Sequence, residues 1–71
     1  MKYILINIFI IIFSIALKAQ KFDYYFDKGQ VNLDTGNYKL AISYYDSALR
    51  KNPKHANSYF NRGLAKSLLD D

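Results

Sequence analysis

From Phe22 onward the apolar residues recur at helical spacing in three blocks separated by turn signals. The first block sets Phe22, Tyr25, Phe26, Gly29 and Leu33 at i, i+3, i+4, i+7 and i+11, which is one face of a helix. It stops at Asp34 to Asn37, where Gly36 is suited to the left-handed conformation that closes a helix. Asn37 then serves as the N-cap of a second block. That block carries Tyr38, Ala41, Tyr45, Ala48 and Leu49 on one face, and Asp46 stands four residues before Arg50, placed for an ion pair along the exposed side. Pro53, within Lys51 to His55, ends the second helix, because proline lacks an amide hydrogen and its predecessor avoids helical geometry. A third block lines up Ala56, Tyr59, Phe60, Gly63, Leu64 and Leu68. The pattern predicts helix, short turn, helix, short turn, helix. Strict apolar and polar alternation persists nowhere in this region, so no strand competes.

The first and third blocks are copies of one another. At an offset of 34 residues Tyr25 falls on Tyr59, Phe26 on Phe60, Gly29 on Gly63, and Lys28 on Arg62. A glycine inside a helix costs about 1 kcal/mol relative to alanine, so its recurrence asks for a packing reason. Two antiparallel helices joined by a short turn can approach closely where Gly29 on one meets Ala41 and Ala48 on the other. Tyr25 and Tyr45 would fill the space beside that crossing. Each buried aromatic contributes on the order of 1.5 to 3 kcal/mol, enough to offset the poor helix propensity of the glycine.

These residues resemble the tetratricopeptide repeat, a helix-turn-helix unit of 34 residues. With one unit counted from Phe22 to His55, Tyr25, Tyr38 and Tyr45 fall at aromatic positions of the pattern. Gly29, Ala41 and Ala48 fall at its small positions, Gly36 at the turn and Pro53 at the terminating proline. A second unit, residues 56–71, supplies Tyr59 and Gly63 and ends after its first helix. Lys28 and Arg62 replace the usual aliphatic residue, and Asn32 and Lys66 replace a usual tyrosine. The long basic stems are therefore expected along the groove between helices, with their charges at the rim. The expected fold is all-α, a fragment of an α-solenoid of antiparallel helix-turn-helix repeats, preceded by an apolar signal or anchor helix.

The resemblance implies a non-enzymatic protein-binding module. Phe26, Gln30, Asn57, Phe60, Asn61 and Leu64 would line a concave groove that receives an extended peptide or a partner helix. The variant of the family that clamps a terminal carboxylate uses lysine and asparagine in the first repeat, where Phe26 and Gln30 stand here. Asn61 alone matches that clamp. Repeat arrays need neighbours to bury each apolar face, and the third helix alone would expose Leu64, Leu68 or Leu69. The expectation is a piece of a longer repeat protein, in which the repeats are a scaffold for another activity, or self-association through the exposed last helix.

Ahead of the repeats, Met1 and Lys2 form a basic start to the run Tyr3 to Leu17, in which Asn7 and Ser14 are the only strongly polar residues. No acidic residue precedes Asp23. The run is shorter than the roughly 18 to 20 apolar residues of a membrane span and has the layout of a secretory signal. Residues 1–19 are accordingly read as a signal peptide cut after Ala19 or Ala16, or as an N-terminal anchor if uncut. The repeats are expected across the membrane either way, periplasmic or secreted, or tethered outside by the anchor.

The chain has no cysteine, which excludes disulfides and thiolate chemistry. Its formal charge of +4 falls once Lys2 and Lys18 leave with a signal: eight lysines and arginines then face six aspartates. Such a balance gives no clustered basic stripe for nucleic acid. Arg50 to Lys54 reads as cations at the negative end of a helix dipole. Catalytic chemistry has little to work with. His55 reads as a surface turn residue, Asp23 and Asp27 as a solvated helix side, and Ser43, Ser47 and Ser58 have no base at readable spacing. No phosphate loop or zinc pattern occurs, so neither cofactor nor metal is expected.

Overall fold

A computed structural model describes the backbone of residues 2–70 and the side chains of residues 7–14 and 21–70. The candidate cleavage positions after Ala16 and Ala19, the basic start of the leader, and Asp71 lie outside the described side chains. Three helices make up the described chain: α1 (Lys2–Asp34), α2 (Tyr38–Lys51) and α3 (Ala56–Asp70). Among the described residues there is no strand. Two helix boundaries fall at the turn signals of the sequence. The start of α1 does not: the helix runs on without a break through the junction between residues 19 and 22.

The turn after α1 is closed by backbone geometry that glycine alone takes freely. Gly36 sits at φ +83°, the Asn37 amide donates to the Asn32 carbonyl at 2.8 Å, and the Gly36 amide to the Leu33 carbonyl at 3.3 Å. This pair of bonds satisfies carbonyls that the helix end would otherwise leave open. Asn37 occupies the N-cap position of α2, and its carbonyl accepts from the Ala41 amide at 2.9 Å. Its side chain, however, makes no cap. The Asn37 amide group points backward instead, donating to Thr35 Oγ1 at 3.3 Å and Asn32 Oδ1 at 3.5 Å. The expected side-chain cap is thus replaced by a bond that tightens the preceding turn.

α2 lies between α1 and α3 and packs against both. Ala41, Tyr45 and Ala48 are wholly buried and Leu49 nearly so, which is the face the spacing assigns to α2. Phe26 and Leu33 of α1 and Tyr38 and Ile42 of α2 close around this core. The close approach occurs at Gly29, where a Cβ would stand 2.7 Å from Tyr45 Cε1 and 2.8 Å from Cδ1. The ring of Tyr45 itself fills the space that the glycine leaves, where the sequence suggested alanine methyls at the crossing and tyrosines beside it.

On α3 the apolar face drawn from the spacing lies largely open. Ser58 and Ala65 are wholly buried against the rest of the molecule, whereas Tyr59 is 46%, Phe60 73% and Leu64 42% exposed. Small residues let α3 lie close to α2, and the larger apolar side chains turn the other way. Before Phe22, α1 extends past the other helices: Ile8 to Phe13 are each between 47% and 71% exposed. Among the described residues, no helix is long and apolar enough to cross a membrane.

Candidate functional site

The groove residues drawn from the sequence come from α1 and α3, and the structure places them unequally. Phe60 is largely exposed on α3, with Leu64 one turn on and Asn57 one turn back, both in solvent. Asn61, on the same side as Asn57, is half-buried. On α1, Gln30 is exposed but Phe26 is half-buried and engaged on several sides. Its ring stacks on Phe22 at 5.9 Å and 11°, lies 5.9 Å from the Tyr45 ring, and meets the His55 imidazole edge-on at 4.9 Å. Phe26 and Phe60 are equivalent in the repeat, yet Phe26 is spent largely on the core and Phe60 is free.

The link between the two groove helices is His55. Phe22 meets its imidazole edge-on at 4.7 Å, on the same side of the fold as Phe26. The Ser58 amide donates to His55 Nδ1 at 3.2 Å, and Ser58 Oγ lies 2.7 Å from the same nitrogen. A backbone N–H can only donate, so Nδ1 is the unprotonated nitrogen and the imidazole proton sits on Nε2. His55 therefore caps α3 with its ring. Its carbonyl also accepts from the Ser58 and Tyr59 amides at 3.2 and 3.4 Å. This corrects the reading of His55 as a surface turn residue: it is half-buried, fixes the first turn of α3, and joins that turn to α1. Sequence reasoning passed it over because histidine is not a common N-cap. No capping-box pattern marks it, since Ser58 stands three residues on where that pattern has glutamate or glutamine.

Charge at the site is arranged across helices. Arg62 Nη1 donates to Asp46 Oδ1 at 2.6 Å, tying α3 to α2, and its guanidinium lies 5.3 Å from the Tyr59 ring centre. The expected Asp46–Arg50 pair along α2 does not form, because Arg50 donates to Ser47 Oγ at 2.9 Å while Asp46 turns to the neighbouring helix. Lys28, the copy of Arg62 in α1, lies over the Tyr24 ring at 5.8 Å. Asp23 and Asp27 are exposed, and among the described residues no cluster of three metal-ligating side chains occurs.

Tyr45 is the group whose ionisation the fold perturbs. Burial pushes its phenol up from the ordinary 10, the Asp34 carboxylate adds to the rise, and the Asn61 amide acts against it. The hydroxyl itself is buried and engages no partner at hydrogen-bonding geometry, so Asn61 biases it without closing a bond. Of the other packing residues of the first unit, Ala41 and Ala48 are wholly buried. Tyr25 is half-buried, Tyr38 half-buried, and Pro53 exposed in the turn, where its carbonyl accepts from the Tyr59 hydroxyl at 2.8 Å. Gly63 differs. It is exposed, and nothing lies within 4 Å of where its Cβ would be.

Comparison with known families gives one match, a model described as the tetratricopeptide repeat, over residues 13–56 and again over residues 26–65. No curated protein and no solved structure shows significant similarity to the chain.

Proposed function

The chain belongs to the tetratricopeptide repeat family, and from that premise we propose that it holds another protein by an extended peptide or a helix laid along the α1–α3 groove. Helical repeats of this kind are a scaffold for protein–protein interaction, and no catalytic role is assigned to any residue. The observation that carries the reading is Phe60, a large aromatic side chain 73% exposed, flanked by exposed Asn57 and Leu64. Aromatic side chains that become buried near the centre of a contact are common anchors of a protein interface. Phe60 and Leu64 would bury partner side chains, while Gln30, Asn57 and Asn61 would pair with the partner's backbone. Phe26 supports the groove floor from within the core.

Residues 22–55 form the first repeat of this reading and residues 56–71 the first helix of the second. Residues 1–19 are a signal or an anchor that places the repeats outside the membrane. The unbroken exposure of Ile8 to Phe13 favours this, since that stretch contributes nothing to the packing of α2 and α3. A second reading, the repeats as scaffold within a larger protein, draws on the exposed apolar side chains of α3, Phe60 at 73% and Leu64 at 42%.

Selection of peptides from a random library on the immobilised chain tests the groove. Selected peptides are expected to lose about tenfold or more in affinity for Phe60→Ala, a loss typical of an interface anchor. Binding by Phe60→Ala and Asn57→Ala as tight as that of the unchanged chain would sink the proposal. Exposed positions such as these can be changed with little effect on folding.

A further inference from the structure

The groove between α1 and α3 carries charge on one wall only. On α1, Asp23, Asp27, Gln30 and Asp34 stand at i, i+4, i+7 and i+11, a single stripe, and all four are exposed. The helical period turns Lys21 and Lys28 away from it, and the Lys28 ammonium is taken up over the Tyr24 ring. The α3 wall is Asn57, Phe60, Asn61 and Leu64, none of them charged. Of the cations of that helix, Arg62 is tied to Asp46 and Lys66 falls on the far side. Among the described residues no lysine, arginine or histidine forms an ion pair with Asp23, Asp27 or Asp34.

This arrangement works against the fold. Asp23 and Asp27, one turn apart, repel each other. Asp34 is the last residue of α1, at the negative end of the helix, with no basic residue in the last turn to offset it. A second group is unspent at the same place. Tyr45 is wholly buried, yet its hydroxyl has no hydrogen-bond partner. Asn61 lies beside that hydroxyl, and the Asp34 carboxylate is near enough to raise its pKa. Both neighbours belong to the groove walls, so the Tyr45 ring brings its oxygen up to the groove floor from behind.

We propose that the groove selects a basic, extended segment of a partner protein in which lysines or arginines alternate with apolar residues. The inference rests on the protein-binding reading above and adds the chemical class of the partner. The cations would pair with Asp23, Asp27 and Asp34, and the one at Asp34 would also donate to the Tyr45 hydroxyl. The apolar residues would lie on Phe60 and Leu64. The spacing agrees: alternate side chains of an extended chain are about 6.6 Å apart, and Asp23 and Asp27 are about 6 Å apart along the helix. The formal charge of the chain is +4, so a basic peptide is drawn to this stripe by local charge and not by net charge.

The probe is a fluorescently labelled heptapeptide, Lys-Leu-Lys-Leu-Lys-Leu-Lys, titrated into the full chain at low salt and followed by anisotropy. The same peptide with glutamine in place of lysine is titrated beside it. The basic peptide is expected to bind about tenfold or more tighter than the glutamine peptide. Asp34→Asn should lower that advantage about threefold to tenfold, whereas Asp70→Asn, the same change of charge on the far face of α3, should leave it in place. Tyr45→Phe should weaken the basic peptide about threefold to tenfold, the size of one hydrogen bond. Equal binding of the two peptides would overturn the proposal. So would an advantage that Asp70→Asn lowers as much as Asp34→Asn, or one that neither Asp34→Asn nor Tyr45→Phe changes. Phe60→Ala reads the groove separately: if it weakens the glutamine peptide while the two peptides bind alike, the groove stands and only the charge class fails. If neither peptide binds, both fall.

Discussion

The ring of Tyr45 lies flat enough against Gly29 that a β-carbon on that residue would stand 2.7, 2.8 and 2.9 Å from three ring carbons. Tyr45 is wholly buried, so the ring cannot swing aside without disturbing Ala41 and Ala48 beside it. Gly29→Ala gains about 1 kcal/mol of helix propensity but overpacks the core, which typically costs about 1 to 3 kcal/mol. A net loss of stability is expected. Gly63→Ala makes the same change in the copied position with nothing within 4 Å. There only the propensity counts, and a gain of about 0.5 to 1 kcal/mol is expected. Thermal unfolding of the two variants should move in opposite directions, and movement in the same direction would contradict the packing described.

Tyr45→Phe tests the buried hydroxyl. The hydroxyl has no hydrogen-bond partner, and a buried donor left unpaired costs about 1 to 3 kcal/mol. Phenylalanine keeps the ring on Gly29 and removes that cost, so the variant is expected to gain about 1 kcal/mol.

The same group makes the fold sensitive to alkali. Below its ordinary pKa of 10 the phenol is protonated in the folded and the unfolded chain alike, and its contribution to stability is fully present. Above that pH the unfolded chain releases the proton while burial makes the folded chain keep it. The unfolded state is then favoured, and stability falls as pH rises toward the folded pKa. Melting temperatures at about pH 8 and about pH 11 should differ more for the parent than for Tyr45→Phe. Equal losses in the two proteins would show that Tyr45 does not report its burial in this way.

The helices were legible because the features that set them are local. Gly36 at φ +83° and Pro53 in the second turn act within a few residues, and the α2 face of Ala41, Tyr45, Ala48 and Leu49 follows the helical period directly. What the sequence did not show depends on partners distant along the chain. Asp46 could pair with Arg50 by spacing alone, but Arg62, sixteen residues away, is the partner that the α2–α3 packing supplies. On α3 the spacing showed the apolar stripe and its exposure, but not which residues touch α2. Its apolar stripe is real, but it faces open space, while Ser58 and Ala65 form the contact. Size rather than hydrophobicity decided which side could approach α2. Of the groove, exposure separates Phe60 from Phe26, although the two are identical in the repeat pattern.

His55 gives a prediction that separates two roles of one side chain. Its Nδ1 accepts from the Ser58 amide, and its ring edge contacts Phe22 and Phe26. His55→Ala removes both and is expected to cost about 1 to 3 kcal/mol, the sum of a lost cap and two aromatic contacts. His55→Asn keeps a good capping acceptor but no ring, and should lose only the aromatic part. If asparagine and alanine are equally destabilising, the cap contributes nothing and the ring contacts alone hold α3 to α1.

The Asp46–Arg62 pair joins the two helices that meet through small residues, so its loss should loosen α3 specifically. The bond is short, at 2.6 Å, but the side chains remain 42% and 27% exposed. Solvent and salt screen such a pair, and a coupling of about 0.2 to 1 kcal/mol is the expected size. A double-mutant cycle with Asp46→Asn and Arg62→Met measures it directly. The coupling should shrink as salt is raised toward about 1 M, where the screening length falls to roughly 3 Å. Hydrogen exchange adds the location: amides of α3 should exchange faster in either single variant while those of α2 near Tyr45 stay protected. Uniform acceleration across all three helices would mean that the pair supports the whole fold, and that α3 is not the separately attached layer its packing describes.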